Sequence, residues 1–214
     1  MKTMTKPGLR LVAPDTEMVK VAESKRGGRP ANAQLRTREY LSENEVEGLL
    51  AACRDNRYSH RDRTMILLAY RHGLRVSELC NLQWTQVDFE AGTLAVNRVK
   101  KGSPATHPLT GKELRALRRL QRETQGKSPF VFVTERGGPM TRNNFQRLVY
   151  KVARLAGLEI TVHPHMLRHA CGFALANKGT DTRTLQAYLG HKNIQHTVRY
   201  TELAPNRFRD LWKD

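Results

Sequence analysis

Apolar residues recur at helical spacing along most of the chain from Leu41 onward. Ser42 followed by Glu45 predicts a capping box, in which each side chain satisfies the other's free backbone donor. Val46, Leu49 and Leu50 continue it as a helical stripe. The same spacing predicts a helix over about Arg61–Arg71, with Ile66, Leu67 and Tyr70 inward and a stop at Gly73. A short helix over Val76–Cys80 comes next. The period then shifts to two. Gln83–Phe89 and Thr93–Val99 read as strands around the turn Glu90-Ala91-Gly92, with Leu94 and Val96 on one face. Lys100 to Pro104 form a second turn, and Ala105–Leu109 a third short strand. Helices are predicted from Thr110 to about Thr124, Thr141 to Ala156, Pro164 to Asn177 and Asp181 to Leu189. Phe130–Val133 is a brief apolar stretch, Gly179 and Gly190 end the last two helices, and a final short helix carries Val198–Leu203 before Pro205. The predicted class is mainly α with a small antiparallel β-sheet (α+β), and no internal repeat is visible.

Residues 1–38 have little periodicity and several Pro and Gly breakers, so they are expected to form a flexible basic arm. The ordered domain should span residues 39–209, with 210–214 as a tail. The chain of 214 residues carries a formal charge of +17, which points to a polyanionic partner, most often nucleic acid. The excess is not confined to the arm: residues 1–40 hold nine Lys or Arg against four acids, and the remainder holds 28 against 16. Charge alone fits a structural nucleic-acid binder as well as an enzyme. Arg26 and Arg29 lie in Ser24–Pro30, an Arg-Gly stretch that reads first as a solvated linker, with a DNA minor groove as the alternative it also suits. Cys53, Cys80 and Cys171 form no CxxC pair and read as reduced core residues of a cytoplasmic protein. No run of 18 apolar residues suggests a membrane span.

Three separated blocks carry chemistry. The first is Gly73-Leu74-Arg75-Val76-Ser77-Glu78-Leu79, where a helix stops and another starts, a place suited to phosphate. The second is His165-Met166-Leu167-Arg168-His169, which puts His165, Arg168 and His169 on one helix face. The third is Leu189-Gly190-His191, with Tyr200 nine residues later. Arginine forks can offset the charge on the nonbridging oxygens of a phosphodiester. A phenol, with a free pKa of about 10, can attack it, and two arginines nearby would favour the phenolate. A donor must protonate the departing oxygen. His163, His165, His169 and Cys171 are also metal-ligand types, but Pro164 turns His163 off the helix and no His-Glu-x-x-His pattern exists. No metal and no cofactor is expected.

In order and spacing, these blocks resemble the catalytic domain of the tyrosine recombinases, and the brief layout resembles the short fimbrial-switch DNA invertases of that family. The resemblance covers about Tyr40 to Arg209. Many members carry a further helical domain ahead of the catalytic one; here about 40 residues precede it. The resemblance implies Tyr200 as nucleophile and Arg75 and Arg168 as the phosphate clamp. It also implies His165 as a proton-handling residue and His191 as a hydrogen-bond donor to the phosphate, with Glu78 orienting the site and His169 more structural. The leaving-group acid would be a hairpin lysine, Lys100 in preference to Lys101. Candidate DNA contacts are Arg142, Asn143, Asn144, Arg147 and Lys151, besides Arg26 and Arg29. The function implied by the resemblance is that of a site-specific recombinase of the bacterial nucleoid, inverting a promoter-bearing segment. Its partners would be double-stranded DNA with inverted repeats, a homotetramer on paired sites, and DNA-bending accessory proteins where the system uses them. The C-terminal stretch Phe208–Trp212 is expected to pack on a neighbouring subunit. The alternatives are an integrase or excisionase of a mobile element, with the same chemistry, and a non-cleaving DNA-binding regulator on a recombinase scaffold.

Overall fold

The computed structural model describes residues 38–98 and 104–204. Arg26, Arg29, Lys100, Lys101 and the segment Phe208–Trp212 lie outside the described residues. The first helix among the described residues, α1 (Glu43–Ala52), starts as its sequence predicts. Ser42 Oγ accepts from the Glu45 N–H, and Glu45 Oε2 accepts from the Ser42 N–H at 2.7 Å. A 3₁₀ turn leads to α2 (Ser59–Arg71) and then α3 (Val76–Cys80). Gly73 makes the sharp connection at φ +55°. Side chains would strain there, and a Cβ would also meet the Leu189 side chain at 2.6 Å.

A three-stranded antiparallel sheet comes next, with β1 (Val87–Asp88), β2 (Thr93–Val96) and β3 (Ala105–Pro108) in spatial order 1-2-3. The first strand is shorter than its pattern suggests, because Trp84–Gln86 form a 3₁₀ turn. Gln86 is the cause: its side chain accepts from the Gln83 N–H and donates to the Ala95 carbonyl, so the loop closes on itself before pairing begins. Leu94 and Val96 face the core, as the alternation predicts.

The helices α4 (Gly111–Thr124), α5 (Arg142–Leu155), α6 (Pro164–Asn177), α7 (Thr182–Leu189) and α8 (Gln195–Glu202) complete the described chain. Asp181 caps α7 by accepting from the backbone of Arg183 and Thr184. The last helix begins three residues before the predicted Val198, because Asn193 and Ile194 already supply its first turn. Helix α6 is central. It packs against α1, α2, α5, α7 and α8 and is buried on nearly all sides. All three cysteines are free and buried. No described helix is long and apolar enough to cross a membrane.

Candidate active site

Two loops meet beside α6, and both are closed by glycine. One is His72–Gly73, leading into α3; the other is Tyr188–Gly190, leaving α7. Gly190 adopts φ +63°, and a Cβ on it would lie 2.7 Å from Arg98 Cγ. Glycine is therefore needed there for both conformation and approach. The guanidinium of Arg168, only 1 % exposed, bridges the loops: Nη1 donates to the Gly73 carbonyl and Nη2 to the Leu189 carbonyl at 2.6 Å. Burial pulls the Arg168 pKa down to about 10, helped by Arg75 and Arg98, so it stays charged at neutral pH. A buried cation is tolerated only when it is well hydrogen-bonded or paired.

Arg75 stands at the start of α3, half-buried. Its backbone N–H donates to Glu78 Oε2 at 2.9 Å and its Nη1 to Glu78 Oε1 at 2.7 Å. Burial raises the Glu78 pKa, but bonds from Arg75 and Arg98 outweigh this and hold the carboxyl below its usual range. The expected first arginine block is thus brought next to the second, more than 90 residues on.

Tyr200, on α8, is only 1 % exposed. Its hydroxyl lies 2.7 Å from His169 Nδ1, and its ring meets Phe173 edge-on at 5.1 Å. The ring also lies against Gly172, where a Cβ would come within 2.9 Å of three ring carbons. His191 stacks 6.3 Å from Tyr200 between ring centres and shares a 2.9 Å hydrogen bond with Thr197. His165 reaches solvent one turn before His169, their rings 4.6 Å apart. So Arg75, Glu78, His165, Arg168, His169, His191 and Tyr200 form one cluster.

The electrostatics differ from the expectation in one respect. Arginines beside Tyr200 should favour its phenolate. Arg168 and Arg199 do pull its pKa down, but burial outweighs them and the net direction is up. The phenol is therefore protonated where it rests. The imidazoles go the other way. Burial, then the surrounding positive charges, lower His165 to about 4 and His169 and His191 to about 3. All three are neutral at physiological pH and can accept a proton or a hydrogen bond.

Arg142, Asn143, Asn144, Arg147 and Lys151 are all exposed on α5, as is Arg154; Arg142 stands at its first residue, and Asn143, Asn144, Arg147, Lys151 and Arg154 share the face opposite the buried Phe145 and Val149. Helix α3, which carries Glu78, packs on α5. Sequence reasoning missed Arg98, Thr197 and the Gly172–Phe173 wall of the tyrosine pocket. A signal existed for Arg98: it continues the inward register of Leu94 and Val96. Among the described residues, no group of three or more His, Cys, Asp or Glu is arranged to hold a metal ion.

A mainly helical domain with one small sheet, gathering these arginines, histidines and a tyrosine around two loops, is the architecture of a tyrosine recombinase catalytic domain. The chain belongs to the phage integrase family, whose model matches residues 39–207. It is 42 % identical over 184 residues to the type 1 fimbriae regulatory protein FimB of Escherichia coli (strain K12), covering 84 % of this chain and 92 % of that one. To FimE of the same strain it is 40 % identical over 181 residues, covering 82 % and 91 %. The crystal structure of XerA recombinase matches with a TM-score of 0.70 at 26 % identity, covering 80 % of this chain and 63 % of that one.

Proposed function

We propose that this recombinase inverts a DNA segment bounded by short inverted repeats, with Tyr200 as the nucleophile. The phenol oxygen forms a bond to the scissile phosphorus while the bond from phosphorus to the 5′ oxygen breaks. Arg75 and Arg168 offset charge on the nonbridging oxygens, which grows as the phosphorane-like transition state is approached. A neutral His165 takes the phenolic proton, and His191 donates to a nonbridging oxygen. Lys100, in preference to Lys101, gives a proton to the departing 5′ oxygen, leaving a free hydroxyl. The 3′-phosphotyrosyl ester conserves the bond energy, so rejoining runs the same steps backward without ATP.

The observation that carries this reading is the convergence of Arg75, Arg168, His191 and Tyr200, from three blocks far apart in the chain, around two loops. Likeness to FimB and FimE supports inversion as the outcome and a promoter-bearing segment as the target. The reading includes a homotetramer on paired sites in the bacterial nucleoid, DNA-bending accessory proteins, and Phe208–Trp212 packed on a neighbouring subunit. It divides the chain into a basic arm (1–38), a catalytic domain (39–209) and a tail, with Arg26 and Arg29 on the minor groove.

The test is a nicked suicide duplex carrying the repeat that the protein footprints. Wild-type protein should leave an SDS-resistant covalent adduct, and Tyr200→Phe should leave none. One observation favours a second reading. Tyr200 is shut away from solvent, as in a regulator that binds without cutting. Footprinting with no adduct from the wild-type protein would establish that reading instead. Inversion of a reporter segment, as against its excision or integration, separates inversion from mobile-element traffic.

A further inference from the structure

We infer that Arg98 is a positioning residue that sets the direction of the phosphate-binding arginines, an inference resting on the clamp roles proposed for Arg75 and Arg168. Its side chain is fully buried, so it cannot itself touch DNA and must act through other groups. Four acceptors surround it. Arg98 Nη1 donates to Glu78 Oε2 at 2.9 Å and lies 3.5 Å from the Gly73 carbonyl. Arg98 Nη2 donates to the His72 carbonyl at 3.3 Å and to the Tyr188 carbonyl.

These acceptors belong to the structures that hold the clamp. Glu78 directs Arg75 through two hydrogen bonds, and Arg98 fixes the carboxylate that does so. Gly73 is also the carbonyl that accepts from Arg168. Tyr188 adjoins Leu189, the second acceptor of Arg168. One buried fork therefore ties Arg75, through Glu78, to the same two loops that seat Arg168. The planar, five-donor guanidinium can serve such divergent acceptors at once, and an ammonium cannot. Gly190 leaves the room this requires, since a Cβ there would strike the Arg98 stem.

The consequence is specific to charge. Displacing the clamp should slow attack on a charged phosphodiester, while a neutral methylphosphonate at the same position, which presents less charge to offset, should feel the loss less. The experiment uses the full chain and the nicked duplex above, with the scissile position either phosphodiester or methylphosphonate. Arg98→Gln and Arg98→Lys are compared with wild type and with Arg75→Ala. Arg98→Gln should cleave the phosphodiester about 100-fold more slowly, as expected for a misplaced group, with half-site affinity within about threefold. On the methylphosphonate the deficit should shrink to under about tenfold. Arg98→Lys should fall between, and it decides the matter if Arg98→Gln fails to fold. An equal deficit on both substrates, or none, overturns the inference. If Arg75→Ala is impaired on the phosphodiester while folded Arg98 variants are not, only this inference falls. If Arg75→Ala cleaves normally, the clamp reading falls and takes the inference with it.

Discussion

The Tyr200 hydroxyl and His169 Nδ1 are 2.7 Å apart in a pocket closed to solvent. His169 is neutral there, its pKa lowered to about 3 chiefly by burial, so Nδ1 can accept the phenolic proton's hydrogen bond. Removing either partner strands the other in the interior, at a cost of about 1–3 kcal/mol. Tyr200→Phe and His169→Phe should each lower stability in urea unfolding, and the double variant should lose less than the sum. A coupling of about 1 kcal/mol is expected for groups in direct contact. Strict additivity would remove the contact from the account.

Gly172 carries the second prediction. A glycine inside a helix ordinarily costs about 1 kcal/mol relative to alanine, so Gly→Ala in α6 should on propensity alone stabilise. The Tyr200 ring reverses that sign, because a Cβ would lie 2.9 Å from its carbons. Overpacking of this kind costs about 1–3 kcal/mol unless the ring leaves. Gly172→Ala should therefore lower the urea midpoint and open Tyr200 to nitration by tetranitromethane, read by mass spectrometry. A more stable variant with Tyr200 still protected would show that the ring does not occupy this space. Cleavage would require the phenol to leave this pocket, since no phosphate can approach an oxygen sealed in it.

Stability should also depend on pH with a defined sign. His107, His169 and His191 all have pKa values lowered to about 3, first by burial and then by nearby positive charge. A free imidazole titrates near 6.5. As pH falls, protons bind the unfolded chain first. Stability from holding these rings neutral is complete above about pH 6.5 and drains away toward about pH 3. Each deeply buried ring contributes a slope of up to about 1.4 kcal/mol per pH unit, and His191, which is partly exposed, contributes less. Urea midpoints should drop between pH 7.5 and pH 5. A flat or rising profile would mean that these rings bind protons in the folded protein as readily as in water.

What was legible in the chain depended on how local the cause was. Ser42 and Glu45 announce α1 because a capping box is written in four residues, and Gly190 announces the end of α7 because only glycine is at ease at its φ. Gln83–Phe89 misled because the side chain of Gln86 bonds across the sheet to Ala95, a partner that no window around residue 86 contains. The charge state of Tyr200 could not be read either. Two arginines nearby predict a phenolate, and only the packing of Gly172 and Phe173 shows that desolvation wins. Arg98 looked like one cation among 37, and its weight lies in carbonyls contributed by residues 72, 73 and 188.

Helix α5 offers the last prediction, and it concerns DNA rather than the protein's own stability. Arg147 and Lys151 are four residues apart, about one turn of helix, and both are exposed on the same face as Asn143 and Arg154. Cations placed to neutralise phosphates release counterions on binding, and each contact adds about 0.9 to the slope of log affinity against log salt. Arg147→Ala with Lys151→Ala should flatten that slope by about 2 and weaken binding to specific and unrelated duplexes alike. A loss confined to the specific site would mean that one of the pair reads a base edge, worth about 1–3 kcal/mol at a single position. If neither slope nor affinity moves, α5 faces water in the complex, and the +17 charge must meet DNA through another surface.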